Sequence, residues 1–393
     1  MKITLFKQSL FRTIVRNILL FCISVFLFSC GPARHVKEGE YLLTKIKVSS
    51  KKEKVINSDL KTLVKQKPNR KLLGLFKIYL GIYNLYYDKE TSKLSDKLGE
   101  PPVIYDSTLH ENSVKTMKKY LNNLGYYENE VKYSIKKNKK RAKVTYHINK
   151  NDRYHIENID YVIEDTEIKR IFFEDTISRK VKKGSNFDFK LLQDERKRIE
   201  NLLKNNGYYE FSKEYVNYRV DTSKDNNSAD VDLIIKQKIE KINDSTIFSK
   251  HQTFTINKIF VRMDYDLQLS DQIYSDTTVN NDIIFIEKAE KKFKYDVISR
   301  AIYIRPGQLY RLTKQEQSYR NLSSLGVFSY VSIKYEVDYT TPGNYLNVYI
   351  DLNPNKKKAY TVLAEGTNNG GNFGVNGDIS FLNRNTFKGA ELF

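Results

Sequence analysis

The stretch LNNLGYYENEVKYSI, Leu121 to Ile135, changes period in its middle. Up to it, Val114, Met117, Leu121 and Leu124 recur at helical spacing; beyond it, Val131, Tyr133 and Ile135 alternate as in a half-buried strand. Gly125 stands between them, where a left-handed cap ends a helix. The phrase returns as LLKNNGYYEFSKEYVNYRV (202–220) around Gly207, and as NLSSLGVFSYVSIKYEV (321–337) around Gly326. Each copy runs on through a polar turn into a second alternating run, at 144–148, 230–237 and 345–352. Each is preceded by a short strand (Tyr41–Val48, Tyr154–Ile163, Phe254–Val261) and a shorter helix (57–66, 166–174, 295–301). The spacing predicts one unit, β-α-α-β-β, present three times. In such an α+β fold two helices cover one face of a small sheet.

Length agrees with several such units: 393 residues suggest two to four domains at roughly 100–200 residues each. With 29 Tyr and 21 Phe the chain can bury several cores, which argues against global disorder. The net charge of +20 leaves two readings open. One is an anionic partner, nucleic acid or membrane surface. The other is a compositional bias, since the Lys residues are spread along the whole chain and no nucleic-acid motif accompanies them.

The two cysteines, Cys22 and Cys30, both lie near the N-terminus, so nothing downstream can form a disulfide or a thiolate metal site. Lys2, Lys7, Arg12 and Arg16 precede a short apolar run, Ile18 to Phe28, as in a secretory signal over 1–29. The run ends Leu27-Phe28-Ser29-Cys30-Gly31, which resembles the lipobox of bacterial lipoproteins. That resemblance implies cleavage between Ser29 and Cys30 and acylation (palmitate-type chains) of Cys30. Phe28 is larger than the residue usual there. Two or more acyl chains give stable anchoring, so the expectation is a membrane-tethered protein, otherwise soluble over 31–355.

The order of elements, and the phrase Leu-x-x-x-Gly followed by Tyr or Val and then Tyr or Phe, resemble the POTRA (polypeptide-transport-associated) domain. The alternative is another small α+β module in tandem. The resemblance divides the chain into POTRA-like domains at 36–151, 152–240 and 252–354, with Gly125, Gly207 and Gly326 at the corners. The first carries an insertion, 68–102, unusually apolar for a loop. It reads either as an extra helix on its own domain or as a partner or membrane contact. The polar stretch 263–292 in the third has no assigned role.

After a Lys-rich hinge at Asn355–Lys358, Tyr360–Glu365 reads as a strand, GTNNGGN (366–372) as a turn and Phe373–Phe381 as a second strand. Phe373, Val375, Ile379 and Phe381 share one face; Gly374, Asn376, Asp378 and Ser380 share the other. This is the weak signature of a transmembrane β-strand, and a soluble hairpin would look alike. The segment 366–393 resembles the opening barrel strands of the BamA/TamA outer-membrane assembly family. The positions that carry the resemblance are Gly366, Phe373, Gly374, and Asn383, Arg384, Asn385, Phe387 and Gly389 of an Asn-Arg-Asn-x-Phe-x-Gly-Ala-Glu phrase. With VKEGEYLL (36–43), QKPNRKLLG (66–74) and the lipobox, the likeness is greatest to the TamA-like lipoproteins (TamL). Family barrels have about sixteen strands, and 358–393 holds two and part of a third. The expectation is a fragment or a truncated frame.

The resemblance implies an outer-membrane protein assembly or translocation factor. Its POTRA array would hold unfolded outer-membrane proteins in the periplasm by adding their strands to an open sheet edge. Strands 129–136, 213–220 and 328–337 are the candidate edges, with Val131, Tyr133, Val216, Tyr218, Val331 and Ile333 as candidate pairing residues. Partners would be unfolded clients, the membrane and a periplasm-spanning TamB-like protein, without nucleic acid. Two other readings stay open, a barrel-less scaffold lipoprotein and a basic lipoprotein on anionic lipid. No cofactor, metal or enzymatic role is expected. None of His35, His110, His147, His155 and His251 falls into a ligand spacing, and no phosphate loop or nucleophile elbow occurs.

Overall fold

The computed structural model describes residues 32–50, 54–72, 74, 77–87, 98–222, 226–242, 245–265, 276–287, 291–369 and 372–391. Ser29, Cys30 and the signal-like run lie outside these residues. The chain divides into two compact units, one of residues 1–157, 183–190 and 222–229, the other of 158–182, 191–221 and 230–393. The β-α-α-β-β order occurs three times.

The first repeat comprises β1 (Leu42–Ser50), α1 (Lys54–Thr62), α2 (Ile78–Tyr86), α3 (Ser107–Asn123), β2 (Glu130–Asn138) and β3 (Arg141–Asn149). Its sheet runs β1-β3-β2, with β1 parallel and β2 antiparallel to β3. Asp106 starts α3: its carboxylate accepts from the Thr108 and Leu109 amides, satisfying N–H groups that a helix start leaves free. Met117 and Leu121 of α3 pack on Val131, Val144 and Tyr146 of the sheet. The Tyr126 amide then donates to the Leu121 carbonyl (3.0 Å) around Gly125, whose φ is +88°. This is a Schellman end.

The helix α1 stops four residues short of the expected 66. Pro68 and two buried amides account for the turn away. Asn69 donates to the Pro101 carbonyl (2.7 Å) and accepts from Val103 N–H, while Gln66 donates to the Ile104 carbonyl (2.6 Å) and accepts from Asp106 N–H. These clamps hold the returning chain against the start of β1, where Leu43 N–H reaches the Val103 carbonyl. The inserted segment also forms α2, whose Leu80 packs with Val36 and Leu42 of its own repeat.

His110, on the inner face of α3, is fully buried, its Nδ1 paired with the Tyr146 hydroxyl and its ring stacked on Tyr105. Burial lowers its pKa. His251, wedged edge-on between Phe211 and Tyr215 with Nε2 3.0 Å from the Lys236 carbonyl, is lowered by burial too. The unfolded chain takes up these protons near pH 6.5 and the folded chain only below that. Stability should therefore fall as pH drops through about 6.5, and denaturant titrations of His110→Gln should show a shallower fall than the native chain.

The second repeat comprises β4 (His155–Ile163), α4 (Thr166–Glu174), α5 (Phe189–Lys204), β5 (Val216–Asp221) and β6 (Ser228–Ile235), with sheet order β4-β6-β5. Its core joins Ile168 and Phe172 to Ile199, Leu203 and Leu233. The strand expected from 213 begins at Val216, because Ser212 caps a 3-10 turn at Lys213–Tyr215. An unforeseen hairpin follows, β7 (Lys238–Ile242) and β8 (Ser245–Ser249).

The third repeat comprises β9 (Thr255–Met263), β10 (Asp276–Asn280), β11 (Ile283–Glu287), α6 (Tyr295–Ala301), α7 (Leu312–Ser324), β12 (Phe328–Val337) and β13 (Tyr345–Pro354). Within the polar stretch without a role, residues 276–287 form a hairpin, β10–β11, that widens the sheet to β10-β11-β9-β13-β12. Its turn residues Asn281 and Asp282 have φ of +52° and +61°, as a type I′ turn requires. Finally β14 (Lys358–Asn369) and β15 (Asn372–Asn383) form an antiparallel hairpin. The expected turn at 366–372 is shorter: Gly366 pairs with Val375 and the ladder continues to Asn369 opposite Asn372.

Candidate strand-pairing edges and joints

In all three repeats the first strand is partly occupied on its outer edge. Antiparallel bridges join Leu42 to Ile104, His155 to Asn186 and Thr255 to Leu309. In the third repeat β11 covers β9 as well. The opposite edges, β2, β5 and β12, end their sheets, and among the described residues no strand pairs with their far sides. A terminal strand leaves every second N–H and C=O unpaired, ready for an added strand.

The candidate pairing side chains point the other way. Val131 and Val216 are buried, and Tyr133, Tyr218, Val331 and Ile333 pack against the cores of their repeats. The Tyr218 hydroxyl donates to the Leu192 carbonyl (3.2 Å), and burial pushes its pKa up. Strand alternation puts Lys132 and Ser134, Asn217 and Arg219, and Ser332 and Lys334 on the outer faces. Cross-strand partners hold several of these. Ser134 meets His147, Arg219 pairs with Asp232 at 2.6 Å, and Lys334 lies 3.5 Å from Asp351. Asp351 itself is fully buried and takes Arg262 at 2.6 Å. What these strands offer an added chain is backbone, flanked by polar side chains.

The corner glycines do more than end helices. The Gly125 carbonyl accepts from Tyr154 N–H (2.9 Å), and the Tyr154 carbonyl accepts from Phe187 N–H (2.9 Å). The Gly207 carbonyl likewise accepts from Phe254 N–H (2.9 Å), and the Phe254 carbonyl from Tyr310 N–H (2.9 Å). Each joint thus seats the first strand of the following repeat. Its second aromatic completes it: Tyr127 packs on Tyr154 and Phe187, Tyr209 on Phe254, Tyr310 and Tyr335. At the third corner the Gly326 carbonyl accepts from the Asn355 side chain (3.1 Å), just before β14.

Among the described residues, most side chains of the hairpin β14–β15 are exposed on both faces. On one side Tyr360 faces Phe381 and Val362 faces Ile379; on the other Thr361 faces Ser380 and Glu365 faces Asn376. The side chains of Tyr360, Val362, Val375 and Ile379 are largely exposed. The phrase after it is tied down. Arg384 N–H reaches the Lys357 carbonyl, the Asn385 side chain donates to the Lys292 carbonyl (2.9 Å), and Lys294 N–H reaches the Lys388 carbonyl (2.7 Å). Glu391 accepts from Phe387 and Gly389 N–H, and Ala390 is buried in the third core. No described helix is long and apolar enough to cross a membrane, which leaves strands out of account. Among the described residues no group of His, Cys, Asp or Glu could hold a metal; His147 and His155 lie on strands of different sheets.

Residues 41–151 match the family model for POTRA, described as a surface antigen variable number repeat. No curated protein matches the chain. Among solved structures, POTRA3–5 of Haemophilus influenzae BamA is similar at 14% identity and TM-score 0.37, over 81% of this chain and 99% of that one. BamA of Haemophilus ducreyi lacking POTRA domains 1–3 is similar at 10% identity and TM-score 0.36, over 59% of this chain and 35% of that one. CdiB of Acinetobacter baumannii is similar at 11% and 0.28, over 61% of this chain and 37% of that one. Likenesses so distant carry no argument of their own. Residues 41–151 thus carry the POTRA match, and the two later repeats follow the same order of elements.

Proposed function

We propose that the chain is the periplasmic arm and barrel entry of an outer-membrane assembly or translocation factor of the TamL type, anchored by acyl chains on Cys30. In this reading, unfolded outer-membrane proteins add a strand to an open POTRA edge, and the hairpin β14–β15 begins the membrane barrel that takes them over. The observation that carries it is the repeated asymmetry of the edges. Three first strands are bridged by their own repeat, while β2, β5 and β12 end their sheets. Of these three, β12 is the preferred edge. It has ten residues against six in β5, and it carries fewer lysines than β2, whose Lys132, Lys136 and Lys137 discourage pairing. A TamB-like periplasmic partner belongs to the same reading.

Photo-crosslinking tests it. A photoreactive residue at Ser332 or Lys334 should capture unfolded outer-membrane proteins in cells, and one at Lys143 on the central strand β3 should not. Equal capture at Lys143, or none at Ser332 and Lys334 in a folded protein, would remove strand addition from the mechanism.

A further inference from the structure

We propose that α2 is a membrane-contacting helix, its exposed face lying on the phospholipid bilayer that holds the Cys30 acyl chains. The inference rests on the lipid-anchor reading above and extends it to a second contact. The helix IYLGIYNLY contains no charged residue, yet among its described side chains only Leu80 reaches full burial in the core. Tyr79, Leu85 and Tyr87 around it are 38%, 52% and 52% exposed, and Leu72 nearby in sequence is 43% exposed. A nine-residue helix of this composition on a water-facing surface leaves much of its apolar area uncovered.

Position says what covers it. The N-terminal strap lies along the helix: the His35 ring is 4.4 Å from the Tyr87 ring, His35 Nε2 is 3.2 Å from the Asn84 carbonyl, and Val36 packs with Leu80. Cys30 precedes His35 by five residues, a reach of at most about 18 Å when fully extended. Acyl chains on Cys30 therefore hold α2 within about that distance of the lipid headgroups. Charge agrees. Arg34, Arg70, Lys71 and Arg141 are exposed; Arg70 lies 5.9 Å from the Tyr79 ring, and burial lowers the pKa of Lys77, with Lys71 and Arg141 near enough to lower it further. Glu100 is the acid that faces this group. Aromatic side chains with polar tips inside a basic rim suit the headgroup layer of an anionic bilayer.

The test uses the full chain reconstituted into vesicles of phosphatidylethanolamine and phosphatidylglycerol with brominated acyl chains. A fluorophore on Leu85→Cys should be quenched several-fold more than one on Lys115→Cys of α3, and Tyr79→Glu should reduce the difference while thermal unfolding is unchanged. Equal quenching at the two positions overturns the contact. The mass of the N-terminal peptide in the same sample reports the anchor separately: an unacylated Cys30 overturns the anchor reading, whereas an acylated Cys30 with equal quenching overturns only the role of α2.

Discussion

Replacing Gly125 by alanine is expected to cost about 4 kcal/mol, an unusually large effect for one methyl group. Two terms add. The backbone sits at φ +88°, where an L side chain costs roughly 1–2 kcal/mol. A Cβ there would also lie 2.2 Å from the Phe187 carbonyl oxygen. That neighbour is backbone, held by the ladder that Tyr154 makes with Gly125 and Phe187, so it cannot swing aside as a side-chain end would. Gly184 is the control: its φ is +81° and nothing lies within 4 Å of its Cβ position. Gly184→Ala should cost only the conformational term, about 1–2 kcal/mol. Gly207→Ala should fall between them, since its nearest neighbours are side-chain atoms of Thr253 and Leu309 at 3.2 and 3.3 Å. Hydrogen exchange at the Tyr154 and Phe187 amides reads the joint locally, which matters in a chain of several cores that need not unfold in one step. Equal shifts for Gly125→Ala and Gly184→Ala would show that the close approach contributes nothing.

The glycine was legible and its use was not. A period change at Gly125, Gly207 and Gly326 locates three helix ends, because a left-handed cap is a local requirement. That the freed carbonyl then accepts from Tyr154 or Phe254 is a tertiary fact, dozens of residues away in sequence. The same division runs through the rest of the fold. Thr166–Glu174, Tyr295–Ala301 and Phe328–Val337 fall on the residues that their periodicity indicates. The hairpin β10–β11 escaped although TTVNNDIIFIE carries its signal, two short alternating runs about Asn281-Asp282; polar residues on either side masked it. At the edges, alternation told which residues share a face and not which face is covered. Val131, Val216 and Ile333, which mark the candidate pairing strands, are apolar and face the cores of their own repeats. Which edge stays open depended on Ile104, Asn186 and Leu309 returning to the first strands, and no local pattern in the sequence announces those returns.

The sharpest test of the C-terminal hairpin is to charge its two faces in turn. Val362 and Ile379 are directly opposed and 74% and 80% exposed; Thr361 and Ser380 are directly opposed on the other face and exposed as well. In water the two pairs are alike, so Val362→Arg with Ile379→Arg should cost no more than Thr361→Arg with Ser380→Arg, each placing two like charges across a strand pair. In a barrel wall they are not alike. An arginine facing lipid near the midplane costs about 2–4 kcal/mol, and one facing the lumen costs little. The first double variant should then lose about 4–8 kcal/mol of membrane stability, and its hairpin should become open to added protease in outer-membrane fractions while that of the second stays shielded, the acyl chains on Cys30 holding the rest of the chain in both. The POTRA repeats serve as the internal control, since Val362 and Ile379 contribute nothing to the three cores and the repeats should remain folded in both variants. If the hairpins of both double variants stay shielded, or both are cut, the two faces are equivalent and the strands do not stand in a bilayer. If only the first is cut, the alternation is the inside and outside of a barrel wall. The hairpin Lys358–Asn383 then belongs to the membrane, and the phrase after it, held by the third repeat, does not.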